Sequence, residues 1–140
     1  MFRSDEQCVQ ASRVLLRRIR RDLPDKCWSK DNRPTAFLCK LADGHLGELS
    51  ECERAFCIIT LTLWNGAKGI DFGIVNRLDN GNLFALASLL QAIALGADFV
   101  DRWMVEQKAI QAGESDLERA YRDRTGDPEV YVGQVRERLS

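Results

Sequence analysis

Apolar and small side chains recur at spacings of three and four along most of the chain, the rhythm of helices that each bury one side. The first stretch sets Cys8, Ser12, Leu15, Leu16, Ile19 and Leu23 on one stripe. Arg13, Arg17, Arg20 and Arg21 run along the other side, with Arg18 at its edge. Ser4 followed by Gln7 fits a capping box, and Asp5 and Glu6 suit the positive end of a helix. Pro24 is expected to end this helix, because its ring blocks continuation.

A polar connection follows, with Trp28 as its apolar anchor. The run PTAFLCKLAD predicts a short helix with Pro34 in its first position and Gly44 closing it. The same letters also suit a strand AFLCKL turning at Asp43-Gly44. LSECERAFCIITLTLWNG opens with a second capping box, Ser50 and Glu53, and stops at Asn65-Gly66. Its second half is β-branched and apolar on every side, so the cap is what selects helix over strand. Between Trp64 and Leu78, alternation of Ile70, Phe72, Ile74 and Leu78 predicts a small hairpin before the Asp79-Asn80-Gly81 turn.

From Asn82 to about Gln111 the pattern is helical, with a break expected at Gly96-Ala97-Asp98 and a stop at Gly113. Ser115 and Glu118 read as a third capping box for SDLERAYRDR, ended by Gly126. Asp127-Pro128 then offers a cap and a first-turn proline for a last helix, PEVYVGQVRERL. The fold expected is all-α: one compact domain over residues 1–140, with five or six helices around a central hydrophobic helix. The alternative is α+β, with FLCKL, IITLTLW and IDFGIV as strands.

Composition supports a globular chain: 45% of its 140 residues are hydrophobic and 29% charged. The stretch Leu83 to Val100 is apolar enough to raise the question of a membrane span, but it holds Gln91 and Asp98. A helix buried in a core is the expectation, and no membrane partner. The five cysteines are an odd number without paired spacing, and the first residues lack an apolar export segment. Free thiols and a reducing, cytoplasmic setting are expected from this.

Candidate chemistry is sparse. Cys52 and Cys57 are five apart, which on a helix turns them roughly 140° from each other. Without close cysteine pairs and with His45 as the single histidine, no metal site is expected. Cys39 or Cys57 with His45 is a formal nucleophile pair, and Asp71, Asp79, Asp98 and Asp101 are the carboxylates to test. Asp98 and Arg102 have the spacing of a helical ion pair, a structural reason for both. WNGAKG lacks the residue order of a phosphate loop, and no cofactor is expected.

Two surface features remain. Ala85, Ser88, Ala92 and Gly96 form a small-residue ridge on one side of the central helix, open to close packing within the chain or to a homodimer. Residues 1–40 carry ten Arg or Lys against five Asp or Glu, although the whole chain has a net charge of -1. Arg13, Arg17, Arg18, Arg20 and Arg21 are therefore the expected partner-binding residues. Their planar guanidinium groups suit a protein partner with an acidic surface, and nucleic acid is the second choice. The function expected is that of a non-enzymatic helical interaction protein, an adaptor, regulator or inhibitor. A small hydrolase is the less favoured alternative.

Overall fold

The computed structural model describes residues 1–44, 48–66 and 78–125, with side chains described as far as residue 113. Among these residues there are six α-helices and no β-sheet, as the apolar rhythm predicts. They are α1 (Asp5–Ile19), α2 (Leu23–Cys27), α3 (Ala36–Ala42), α4 (Glu51–Asn65), α5 (Asn80–Leu95) and α6 (Ala97–Thr125). Packing divides the chain into two units, Met1–Met104 and Val105–Ser140. Of the second, the described part is the continuation of α6 to Thr125. The expected hairpin falls mostly on residues 67–77 and the expected last helix on 128–139, both outside the described residues.

In the first unit α1 packs against α2, α4 and α5, and α3 packs against α2 and α4. Being flanked by three helices, α1 buries Val9, Ala11 and Val14 in addition to Cys8, Ser12, Leu15 and Leu16. The buried arc is thus wider than the one stripe the sequence suggested. Phe56 and Ile59 of α4, Leu86 and Leu89 of α5, Leu38 of α3 and Trp28 fill the core beside it. Each fully buried Leu, Ile or Phe contributes about 1.5–3 kcal/mol of transfer free energy.

The ends of the helices show where local chemistry decides and where it does not. At α4 the Ser50 hydroxyl accepts from Glu53 N, and the Glu53 carboxylate accepts from Ser50 N, the complete reciprocal box. Gly66 closes α4 with φ 68°, a conformation that favours glycine. At α1 the Ser4 hydroxyl accepts from Gln7 N at 3.2 Å, but the Gln7 side chain bonds Arg3 N in place of the Ser4 amide. The first box is only half formed.

Three expected boundaries move. Helix α1 ends at Ile19, not at Pro24: Arg20 is extended, with φ -159° and ψ 133°. Pro24 lies in the first turn of α2, where its missing N–H removes no helical bond. Pro34 precedes α3 and faces Trp28 in an isolated antiparallel bridge, while Thr35 is the cap. Finally, α6 runs unbroken through Gly113 and Ser115 to Thr125, so neither the expected stop nor a third helix start occurs there. The break foreseen at Gly96 is present, with φ 133° separating α5 from α6.

Candidate interaction surfaces

Helix α1 carries Arg13, Arg17 and Arg18, with Arg20 and Arg21 just past its end, and three of the five bond to other parts of the chain. Arg13 Nη2 donates to the carbonyls of Trp28 and Ser29, each at 3.0 Å, and Arg13 Nη1 donates to Asp25 at 2.9 Å. The guanidinium therefore closes the turn after α2, a task its rigid fork of donors suits. Arg18 Nε donates to Asn82 Oδ1 at 2.9 Å, tying the end of α1 to the first turn of α5. Arg20 donates to Asp22 and, at 3.3 Å, to Glu53 of α4. Its hydrogen bonds hold the Asp22 carboxyl well below the usual carboxylate range and raise its own pKa.

Of the five expected partner-binding residues, Arg13, Arg18 and Arg20 thus bond within the chain, and Arg17 and Arg21 are exposed.

The small-residue ridge also faces inward. Ala85 and Ala92 are buried, and Ser88 accepts the indole N–H of Trp103 at 2.9 Å from α6. Gly96 forms the corner itself. The opposite side of α5 is a different surface. The central helix is not buried all round, as its composition suggested, because Phe84 is 73% exposed, Leu95 58% and Leu90 40%. Ala87, Gln91 and Ala94 are exposed between them. At about 100° per residue these six positions occupy an arc of roughly 140°. No charged residue occurs from Asn80 to Leu95, so the arc is an uncharged, largely apolar face. Phe99, just past the corner, is partly covered by the Arg102 guanidinium, 5.4 Å from its ring centroid.

Among the described candidate groups, Asp98 and Asp101 share one partner, Arg3. Cys57 is fully buried, Ile59 is beside it in the core, and Leu63 packs against that core. Cys39 is exposed. Asp79 caps α5, its carboxylate accepting from Asn82 N at 2.8 Å. Asp98 is exposed and pairs with Arg3 at 2.8 Å, not with Arg102, whose guanidinium is on Phe99. Asp101 pairs with Arg3 at 3.0 Å and accepts from Gln7 at 2.9 Å, and these bonds lower its pKa, Gln7 contributing most. Asp71 and His45 lie outside the described residues. Among the described residues no three His, Cys, Asp or Glu side chains stand together as a metal set.

Sequence periodicity located α5 but gave no sign of which side of it faces outward, since every side of that helix is apolar. Among the described residues no helix is long and apolar enough to cross a membrane. Comparison with protein-family models, with curated proteins and with solved structures finds no match to the chain.

Proposed function

We propose that this chain is a non-enzymatic interaction protein acting by protein–protein contact, which pairs with a second copy through the outward face of α5. The observation that carries this reading is the exposure of Phe84, Leu90 and Leu95 on one uncharged helical face. Monomeric proteins rarely leave contiguous apolar patches of this kind uncovered, and aromatic side chains are enriched among the residues that anchor interfaces.

A second copy suits the face for two reasons. Two-fold pairing buries the same surface on both copies, so any charge on it would be desolvated twice, and this face has none. In an antiparallel pair the Phe84 end of one helix meets the Leu95 end of the other. Ala87 and Ala94 leave room for close approach between them.

Arg17 and Arg21 supply the rest of the reading. The bond from Arg18 to Asn82 brings the basic end of α1 beside the first turn of α5. A dimer would therefore display two basic ends, each suited to an acidic protein surface. A cytoplasmic setting belongs to the same proposal and is supported by five unpaired thiols. Light scattering of the full chain is the test. A dimer mass is expected, and a monomer mass at every concentration would contradict the pairing.

A further inference from the structure

Cys27 is the last residue of α2 and Cys57 lies mid-way along α4, thirty residues later. Both thiols are completely buried, and their sulfurs are 3.5 Å apart. We propose that Cys27 and Cys57 are a disulfide-forming pair, a covalent staple between α2 and α4 that closes under oxidising conditions.

Two contacts fix the chain around the sulfurs. Trp28 and Trp64 meet edge to face, with ring centroids 6.1 Å apart, and so join the end of α2 to α4. Trp28 adjoins Cys27, and Trp64 is two helical turns past Cys57 on the same side of α4. The Cys27 carbonyl accepts from Thr35 N at 3.0 Å, which fixes the end of α2. A disulfide has its sulfurs about 2.0 Å apart, so closure asks for an approach of about 1.5 Å. Closure thus requires a change of side-chain torsion at the two cysteines and an adjustment of the five-residue α2. The remaining cysteines have no sulfur set against theirs as these two do: Cys8 is buried on α1, Cys39 is exposed, and Cys52 has the Asn82 amide beside its sulfur at 3.9 Å.

The oxidant is a low-molecular-weight disulfide. One protein thiolate attacks a sulfur of that molecule and expels a small thiolate, giving a mixed disulfide. The second protein thiolate attacks the protein sulfur of this intermediate and expels the other small thiolate. Two protein thiols and one small disulfide become one protein disulfide and two small thiols, with the protons passing to the departing sulfurs. The hydrogen bond with Cys27 and burial both push the Cys57 thiol far up from its ordinary value. Exchange therefore proceeds while α2 is open or before the chain has closed, and the finished bond is shielded from reductant.

The experiment is refolding of the full chain from denaturant, either in a mixture of glutathione and its disulfide or in dithiothreitol. Remaining thiols are alkylated under denaturing conditions and the peptides mapped by mass spectrometry. The expected oxidised product carries a Cys27–Cys57 link and alkylated Cys8, Cys39 and Cys52. Its melting temperature should exceed that of the reduced chain by about 10 °C. A triple variant, Cys8→Ser with Cys39→Ser and Cys52→Ser, should form the same link. Five alkylated cysteines after oxidative refolding, a wild-type link through any other cysteine, or equal melting temperatures would overturn the proposal.

Discussion

The indole N–H of Trp103 donates to Ser88 Oγ at 2.9 Å, joining α6 to the small-residue ridge of α5 just below their shared corner. Ser88 in turn donates to the Ala85 carbonyl at 2.9 Å, so the hydroxyl is satisfied on both sides. Trp103 is almost wholly buried, and Ser88 is the partner that its N–H has in the structure. Ser88→Ala should destabilise the fold by about 1–3 kcal/mol, the usual range for an orphaned buried donor. On a Trp103→Phe background the same substitution should cost less, and a double-mutant cycle in urea reads the difference. Equal costs on both backgrounds would show that the bond contributes nothing.

The corner itself depends on glycine. Gly96 has φ 133°, and a Cβ added there would meet nothing within 4 Å. Any penalty for Gly96→Ala is therefore a backbone penalty, expected at about 1–3 kcal/mol. Chemical denaturation measures it, and a neutral result would mean that the chain turns this corner in another way.

The arginines separate into two groups by their bonds, and substitution should separate them in the same way. Arg13→Lys keeps the charge but loses the fork that holds Trp28 O, Ser29 O and Asp25, so a loss of about 1–2 kcal/mol is expected. Arg17→Ala removes an exposed side chain and should stay within about 0.5 kcal/mol. If the two variants lose equal stability, the structural role given to Arg13 fails.

How much of this was legible in the sequence depends on how local each signal is. The Ser50–Glu53 box and the Gly66 stop are read correctly because donor, acceptor and glycine lie within one helix. The Gly96 break is legible for the same reason. The end of α1 was not, because the extended Arg20 is held in part by Glu53, 33 residues away. The arginine strip looked like one wet surface for a similar reason. Spacing gives the side of a helix, but a long guanidinium reaches partners on other elements, such as Asn82. The Ser115–Glu118 signal failed in the opposite sense: a cap is only an option, and the helix from Ala97 simply continues through it. In α5 the uniform apolarity hid the exposed face, since nothing in the pattern distinguished Phe84 from Leu86.

Acid should loosen the first unit through specific carboxylates. Bonds with Arg20 lower the pKa of Asp22, bonds with Gln7 and Arg3 lower that of Asp101, and the Ser50 amide lowers that of Glu53. Folded-state pKa values below the unfolded ones mean that the unfolded chain binds more protons, so stability rises with pH across this range. The contribution is present above the unfolded values near pH 4 and is lost as pH falls through the folded ones. Urea midpoints are expected to drop between about pH 5 and pH 2, and Asp101→Asn should flatten that drop. An acid profile unchanged by Asp101→Asn would remove its pair with Arg3 from the account.

Sedimentation velocity of the wild-type chain beside Phe84→Glu and Leu95→Glu, at about 10–100 µM, tests the proposed pairing most directly. Both side chains are exposed, so the variants should keep the helical circular dichroism of the wild type. The wild type should sediment as a monomer–dimer equilibrium, and either glutamate should return it to monomer by burying an unpaired charge against the apolar face of the other copy. A wild-type chain that is monomeric throughout this range, or a dimer that both glutamates leave intact, would contradict pairing through α5.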